Sequence, residues 1–334
     1  MPESQSGGVT GSDRCRACGD RSVTPLVLRE NLFGTGQEFT YLRCDRCASL
    51  SIAVIPDDMS QFYPAAYFRG PLPNETVNRG EFKTWLFESR DRFAVGRGSL
   101  AGCLFFQLFP RYDLRSLVWL DPSPGQRLLD VGAGTGEWLR RLGELGVPLH
   151  LSGVDAFAPA SDLVTPGTLS DISGETWDLL TFHHSLEHVG DPTLFLEQAG
   201  RVCAPGAKLL VDVPTVSSTA WARYGPDWVQ LDAPRHFTLF SREGLIACAV
   251  RAGLRLIALR YASTGFQFWG SELIRYGEPL VDPAEPGLLP HQRARASFSR
   301  ARMIGYEALA HVANARHRGD TLCAIFTPAE MPLR

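Results

Sequence analysis

Four cysteines near the start of the chain form the first pattern that could carry chemistry. Cys15, Cys18, Cys44 and Cys47 make two Cys-x-x-Cys pairs. Each pair can direct two thiolates at one tetrahedral ion, and the chain between them is long enough for a hairpin that joins the pairs. This spacing favours a zinc ribbon over redox pairs or a disulfide framework. Because four thiolates leave the ion no open position, we expect a structural or recognition role for the zinc.

The second pattern is an apolar run that enters a glycine loop, Gly132-Ala133-Gly134-Thr135-Gly136. Glycines let the backbone pass close to a ligand and adopt dihedrals closed to other residues. A dinucleotide loop would have its third glycine at position 137, where Glu137 stands, and this disfavours a nicotinamide oxidoreductase. Asp130, just before the loop, could accept a hydrogen bond from an ammonium group but would sit badly beside a pyrophosphate.

The next predicted strand ends at Asp155, where a carboxylate can accept hydrogen bonds from both hydroxyls of a ribose. The loop, Asp130 and Asp155 therefore indicate a site for a ligand with an amine and a ribose. A glycine-rich turn without a ligand is the alternative.

Histidines cluster after the predicted strand 177–182, at the carboxyl end where parallel sheets place their active sites. They are His183, His184 and His188, with Glu187 between them. If residues 184–188 form a helical turn, His184, Glu187 and His188 share a face. That face could supply a base titrating near neutral pH, hold a divalent cation, or make structural hydrogen bonds only.

A second cluster lies in the loop 230–237, which follows several aromatic residues and ends in Arg235-His236-Phe237. Aromatic rings with an arginine and a histidine suit a cyclic or anionic acceptor. His236 is the second candidate base. In the alternative interpretation, Arg235 and His236 only anchor the loop.

Four segments must position these residues. We predict a disordered tail over 1–12, the zinc ribbon over 13–55, an aromatic-rich helical connector or lid over 56–122, and an α/β domain over 123–330. Repeated strand, turn and helix patterns in the last segment indicate a parallel sheet with helices on both faces. They include strands at 127–131, 255–261 and near 321–327, and a helix near 298–314. The aromatic segment 61–68 is expected to pack across the large domain.

Composition limits the partners. The 334-residue chain has a formal net charge of −3 and a pI near 6.3, which give no general attraction for nucleic acid. The polar N-terminus lacks the apolar core of a signal peptide, and the longest apolar stretch contains charges that a membrane span tolerates poorly. We therefore expect a cytoplasmic protein without a membrane span. Its oligomeric state is left open.

Three further motifs accompany the glycine loop: Trp177–Phe182, Ser185–Pro192 and Arg201–Val211. Together they resemble class I S-adenosylmethionine-dependent methyltransferases. The resemblance implies a Rossmann-like α/β sheet with S-adenosylmethionine as the cofactor. In that family's arrangement Asp130 meets the methionine end, Asp155 binds the ribose and His183 lines the cofactor. The loop residues beneath the cofactor would be Gly132, Ala133, Gly134 and Gly136.

With the ribbon in front, the chain is also similar to zinc-ribbon sugar C-methyltransferases. Those carry a further C-terminal domain, which we do not expect in this chain. The run from His184 to His188 is similar to the Glu-x-x-Glu-His run that binds a divalent cation in quinone O-methyltransferases, with His184 in place of the first glutamate.

The resemblance implies methyl transfer to oxygen or carbon of a small acceptor: a sugar, a polyketide or another secondary or cell-surface metabolite. His184 or His236 is the expected base, with Glu187 and His188 beside it. Two alternatives differ in class: an RNA methyltransferase that holds RNA with its ribbon, and a non-catalytic cofactor-binding module. Against RNA stand the acidic balance and the segment Val211–Thr215, which is not the Asn-Pro-Pro-Tyr type of motif.

Overall fold

The computed structural model describes residues 13–63, 81–96, 98–108, 111, 114–172, 174–282 and 289–329. The predicted tail 1–12 and most of the aromatic segment 61–68 lie outside the described residues. Within the described part, no helix has the length and apolar character needed to cross a membrane.

The N-terminal ribbon is an antiparallel sheet. Its strands are β1 (Val23–Arg29), β2 (Glu38–Cys44) and β3 (Leu50–Ile52). β2 lies between β1 and β3, with Val23 opposite Cys44 and Tyr41 opposite Ile52. This hairpin brings the two cysteine pairs together.

Eight more strands follow the ribbon. They are β4 (Arg127–Val131), β5 (His150–Asp155), β6 (Val164–Pro166), β7 (Trp177–His183), β8 (Cys203–Pro214), β9 (Thr238–Leu239), β10 (Leu254–Tyr261) and β11 (Thr321–Pro328). All except β9 form one sheet in the order β10-β11-β8-β7-β4-β5-β6. β9 instead pairs with β3, so a strand from the predicted α/β domain completes the ribbon sheet.

The large sheet is parallel from β6 to β8 and antiparallel at β10 and β11. From β4 the chain proceeds to β5 and β6 on one side, and then returns to β7 and β8 on the other. Ligands of open α/β sheets bind at such a switch point, outside the carboxyl ends of the strands. Asp130 and Asp155 lie at the carboxyl ends of β4 and β5, and His183 ends β7, with His184, Glu187 and His188 after it. His236 lies in the loop before β9.

Ten helices complete the described part. They are α1 (Glu81–Ala94), α2 (Leu100–Leu108), α3 (Arg115–Leu120), α4 (Glu137–Glu144), α5 (Pro192–Arg201), α6 (Thr219–Tyr224), α7 (Arg242–Arg251), α8 (Phe266–Arg275), α9 (Pro290–Ser297) and α10 (Arg300–Ala315). The predicted helix near 298–314 is α10.

The core has two layers, one on each face of the large sheet. Neighbouring residues of β4 contribute to different layers because successive side chains of a strand point to opposite faces. Leu129 packs in a cluster with Leu196 of α5 and Leu245 of α7. Leu128 packs in another cluster with Leu139 of α4. Helices therefore cover both faces, and the predicted α/β, Rossmann-like fold class is confirmed.

A third apolar cluster lies beside the sheet and joins the ribbon to the C-terminal half of the chain. Tyr41 and Leu50 of the ribbon pack here with Trp228 and Leu231 of the loop before β9 and with Phe268 of α8. The ribbon therefore shares its core with the large domain.

Candidate cofactor loop and acceptor pocket

The glycine loop turns sharply between β4 and α4. Gly132 and Gly134 have φ values of 80° and 52°, in the left-handed region that favours glycine. A Cβ on Gly132 would lie 2.5 Å from Cβ of Ser185, whereas a Cβ on Gly134 would meet nothing within 4 Å. The backbone N–H of Gly132 donates to the carbonyl of Val154 at 2.8 Å. The loop is thus fixed on one side and open on the other.

Two carboxylates flank this loop at the ends of β4 and β5. Asp130 is 3% exposed, accepts a hydrogen bond from Thr181 Oγ1 at 2.7 Å, and has its pKa raised by burial. Asp155 is half-buried, and its Oδ2 accepts from the N–H of Gly134 at 2.9 Å. Its Oδ1 accepts from the N–H of Phe157 at 2.8 Å. The predicted ribose acceptor therefore lies directly beside the open part of the loop.

His183 is the last residue of β7, which lies between β4 and β8 in the large sheet. Its Nδ1 lies 3.8 Å from Oδ2 of Asp212 in β8. Its ring meets the ring of Trp138 edge to face, with centroids 4.6 Å apart. Since Trp138 belongs to α4, which follows the loop, His183 lies beside the loop. That His183 lines the cofactor stays a prediction.

His184 has a φ of 49° and forms an ion pair with Glu187, with 3.2 Å between Nδ1 and Oε1. Burial opposes the charge on His184, but the hydrogen bond to Glu187 and the carboxylates of Asp212 and Asp320 outweigh it and raise the pKa of His184 to about 9. His184 is therefore protonated at neutral pH. Glu187 is fully buried, and its Oε2 has no hydrogen-bond partner among the described residues.

His188 and His236 each direct Nδ1 at a backbone carbonyl: Arg235 at 2.8 Å and Gln230 at 2.9 Å, respectively. A carbonyl only accepts, so each Nδ1 carries a proton. The ring centroids of the two histidines are 4.8 Å apart. The helical turn forms only over Leu186–His188. His184 thus pairs with Glu187, while His188 contacts His236, so the expectation of one shared face is only partly met.

His236 has the opposite electrostatic character from His184. Burial lowers its pKa to about 4, against the attraction of Asp232, so its imidazole is neutral at pH 7. Its Nε2 lies 3.8 Å from Oδ2 of Asp232 and 4.0 Å from Oε1 of Glu187. One ligand atom each from Glu187, His188 and His236 lie within 4.8 Å of one another, a group that could hold a metal ion.

Arg235 does not line the cavity beside these histidines. It is fully buried, with Nη2 2.8 Å from Oε1 of Glu30 in the ribbon and Nε 2.8 Å from Oδ1 of Asp232. Its Nη1 donates to the carbonyl of Phe62 at 3.0 Å. These contacts make Arg235 an anchor of the loop, which agrees with the alternative interpretation.

A cavity of about 540 Å³ opens beside these histidines. Its walls come from the ribbon, the turn after β7, the loop before β9, α8 and the start of β11. The lining residues are Leu32, His184, His188, Val229, Gln230, Asp232, His236, Thr264, Phe266, Gln267, Leu280, Asp320 and Thr321. None of these described lining residues is a lysine or an arginine.

The four ribbon cysteines converge, with Cys15 Sγ 3.6 Å from Cys47 Sγ and Cys18 Sγ 3.5 Å from Cys44 Sγ. All four sulfurs lie within 4.8 Å of one another. These distances exceed a disulfide bond of about 2.05 Å. Tetrahedral zinc with Zn–S distances of about 2.3 Å separates sulfurs by about 3.8 Å, which the group fits.

Residues 106–259 match the model of a protein family described as a methyltransferase domain. The chain is therefore similar to a methyltransferase domain over this stretch. It is 34% identical over 110 residues to a ubiquinone/menaquinone biosynthesis C-methyltransferase of Ruegeria sp., covering 28% of this chain and 44% of that protein. It is 32% identical over 142 residues to a ubiquinone biosynthesis O-methyltransferase of Azorhizobium caulinodans, covering 37% and 54%.

The chain thus spans about half the length of the curated relatives that it matches. Among solved structures, it is similar to a mycolic acid cyclopropane synthase complexed with SAH and CTAB, with 20% identity and a TM-score of 0.40 over 64% of this chain and 81% of that one. A likeness of this size carries no argument about the site.

Several residues around the cavity were not predicted from the sequence. Glu30 and Leu32 come from the ribbon, and Gln267 and Asp320 come from the C-terminal third of the chain. The sequence indicated Asp232 only as a member of the loop 230–237. The sole sequence signal was the aspartate three residues before Arg235, a spacing suited to a local ion pair.

Proposed function

We propose that this protein transfers the methyl group of S-adenosylmethionine to a small-molecule acceptor in the cavity beside His236. The observation that carries the proposal is the carboxylate of Asp155 held against the open glycine loop of a methyltransferase domain. A separate cavity, lined by titratable side chains such as His184 and His236, lies near the carboxyl end of β7. The relatives are named for O- and for C-methylation in ubiquinone biosynthesis, which supports a small acceptor and leaves oxygen or carbon open.

The loop side would hold the cofactor, which supplies an electrophilic methyl group on a sulfonium. Asp130 would accept a hydrogen bond from its ammonium group and Asp155 from its ribose hydroxyls. Gly134, where a Cβ would meet nothing within 4 Å, would let the backbone lie close to the cofactor, and His183 would line the same space. Holding the acceptor in line with the methyl group can lower the barrier by about 7 kcal/mol or more.

His236 is the base that we assign to the acceptor side. His236 lines the cavity, and a proton taken up on its Nε2 would be stabilised by the carboxylates of Asp232 and Glu187. His184 is less suited to this role because it is already protonated at neutral pH. Its charge, at the wall of the same cavity, would stabilise negative charge that develops on the acceptor.

A divalent cation is the second candidate for activating the acceptor. His188 and His236 both donate Nδ1–H to backbone carbonyls, an arrangement that also orients imidazole ligands of metals. Glu187 would supply the carboxylate. Turnover that EDTA abolishes and Mg²⁺ or Mn²⁺ restores would support this mechanism, whereas the base mechanism predicts full turnover after dialysis against EDTA if the ribbon keeps its zinc.

For the ribbon we propose a structural zinc ion bound by Cys15, Cys18, Cys44 and Cys47. The support is the convergence of four sulfurs at spacings that a tetrahedral ion requires.

The proposal is tested in two steps. Calorimetry with S-adenosylhomocysteine should show binding to the purified protein. Mass spectrometry of a host extract incubated with methyl-labelled cofactor should then reveal a labelled small molecule. Protein that binds no S-adenosylhomocysteine would contradict the proposal. Label found only in RNA would favour an RNA methyltransferase, and binding without turnover on any acceptor would favour a non-catalytic module.

A further inference from the structure

We propose that the zinc ribbon is part of the acceptor site, and that Glu30 of the ribbon is a positioning residue that holds His236 in place through Arg235. The inference rests on the proposed function, because it assigns the ribbon a task in methyl transfer to the cavity's occupant. Glu30 was absent from the predicted site residues.

The first support is a buried ion cluster between ribbon and loop. Arg235, the neighbour of His236, lies between the carboxylates of Glu30 and Asp232. Glu30 and Arg235 are 1% and 0% exposed. Removing one partner of such a buried pair leaves an uncompensated charge, which is strongly unfavourable. The loop therefore has one low-energy position relative to the ribbon.

The ribbon also fixes Glu30 itself. Oε1 of Glu30 accepts from the N–H of Phe33 at 3.0 Å. Oε2 accepts from the N–H and hydroxyl of Thr35, at 3.1 Å and 3.0 Å. The loop between β1 and β2 thus supplies the hydrogen-bond donors that hold the carboxylate of Glu30. The same loop places Leu32 in the cavity wall.

The second support is a set of ribbon contacts that hold the backbone at His236 and directly after it. The Tyr41 hydroxyl donates to the carbonyl of His236 at 2.8 Å. The N–H of Ile52 donates to the carbonyl of Phe237 at 2.9 Å. Pairing of β3 with β9 then continues from residue 238. Since Tyr41, Ile52 and β3 belong to the ribbon, the position of His236 depends on the ribbon being folded.

The ribbon contacts named here reach the acceptor side of the site. Glu30, Leu32 and Tyr41 touch the cavity wall or the His236 loop, whereas the glycine loop takes its contacts from Val154 and Asp155. Disturbing the ribbon should therefore change acceptor turnover and spare cofactor affinity. A ribbon that serves only to bind nucleic acid or another protein has no reason to show this division.

The test compares Glu30→Gln with Glu38→Gln. Both substitutions remove one negative charge from the ribbon, but Glu38 is exposed and pairs with exposed Arg29. Three properties are measured: zinc content, S-adenosylhomocysteine affinity, and the imidazole signals of His236 by NMR of protein labelled with ¹⁵N-histidine. Neither the NMR spectrum nor the affinity requires a known acceptor.

For wild type and Glu38→Gln we expect a single neutral His236 signal with the proton on Nδ1. In Glu30→Gln that signal should shift or split, while zinc content stays the same and S-adenosylhomocysteine affinity stays within about twofold. Once an acceptor is known, kcat should fall by about tenfold to 100-fold, because a small misplacement of a catalytic group has effects of this size. Unchanged His236 signals in Glu30→Gln would overturn the inference.

If Glu30→Gln does not fold, Tyr41→Phe provides the second variant. It removes only the hydroxyl that donates to His236, and its His236 signal should also move. An unmoved signal there would overturn the inference. Failure of the proposed function looks different: wild type would not bind S-adenosylhomocysteine at all, whatever its histidine spectrum.

Discussion

The proposed cofactor side and the proposed acceptor side of this protein meet at the same edge of the large sheet but are assembled in different ways. The cofactor side is made from one strand-loop-helix and one aspartate at the end of the next strand. Its decisive contacts are backbone N–H groups that bind Asp155 and Val154. The acceptor side gathers side chains from segments as far apart as Glu30 and Asp320.

This difference changes what each side depends on. The glycine loop depends on backbone dihedrals that nearby residues determine. The acceptor side depends on buried charges whose protonation follows from tertiary neighbours, as the opposite pKa shifts of His184 and His236 illustrate. Damage to the ribbon should therefore harm one side only.

The largest effect is expected from removing the zinc ion that we propose for the ribbon. Wild type should carry about one zinc per chain, and Cys15→Ser with Cys18→Ser should carry almost none, because two thiolates cannot complete the tetrahedral site. Turnover should fall about 100-fold or more as His236 loses its support, while the protein still binds S-adenosylhomocysteine. Elemental analysis and calorimetry measure the two quantities.

Cys203→Ser is the matched control for this variant. The Cys203 thiol donates to the carbonyl of Ala199, which a serine hydroxyl can also do, so zinc content should not change. Anaerobically prepared wild type without zinc would show that the cysteine assignment is wrong. If the double cysteine variant loses S-adenosylhomocysteine binding together with its zinc, the ribbon supports both sides of the site and not the acceptor side alone.

The next effect concerns the base. His236→Ala should lower turnover by about 100-fold or more and leave cofactor affinity nearly intact, because a positioned base contributes this much and His236 does not belong to the glycine loop. His184→Ala should be milder. His311→Ala, on the exposed side of α10, should have no effect. If both His236→Ala and His184→Ala keep near-normal turnover, the histidine-base mechanism is wrong and the divalent cation becomes the better explanation.

A smaller effect is expected on the cofactor side. Asp155→Ala should weaken S-adenosylhomocysteine binding by about 1.5 to 3 kcal/mol, because the ribose hydroxyls lose a charged acceptor. Calorimetry measures this loss. Asp162→Ala, an exposed aspartate in the same connection between β5 and β6, is the control. Equal affinities for Asp155→Ala and Asp162→Ala would place the cofactor elsewhere.

Because Asp155 also accepts backbone hydrogen bonds, its loss could loosen the loop. Asp155→Asn, which keeps one acceptor oxygen, should be weakened less than Asp155→Ala. In both variants the His236 imidazole signal should stay where it is in the wild type.

The two sides also differ in how far the sequence could predict them. The strand at 127–131 and its loop were predicted correctly because an apolar run followed by spaced glycines is a local signal. The fold class followed from repeats of that pattern. The Glu30–Arg235 pair joins residues 205 positions apart, and a glutamate before a ribbon turn normally faces solvent. The burial of the Glu30–Arg235 pair cannot be predicted from residue spacing in the sequence. The same holds for the different protonation of His184 and His236, because it depends on which carboxylates the fold brings close to each ring.

The smallest expected effect tests the protonation of His184 directly. The pKa of His184 is raised to about 9 in the folded chain, against about 6.5 when unfolded. The stabilisation is therefore fully present below pH 6.5, where both states bind the proton, and is lost as the pH rises through 9. Wild type should exceed His184→Gln in free energy of unfolding by about 1 kcal/mol at pH 6, since a third of the His184 side chain is exposed and screened. This difference should vanish near pH 10. Urea denaturation at the two pH values measures it, with His311→Gln as the control. A difference that is the same at both pH values would mean that Glu187 does not hold His184 in its charged form, and that the two histidines of the acceptor side are electrostatically alike.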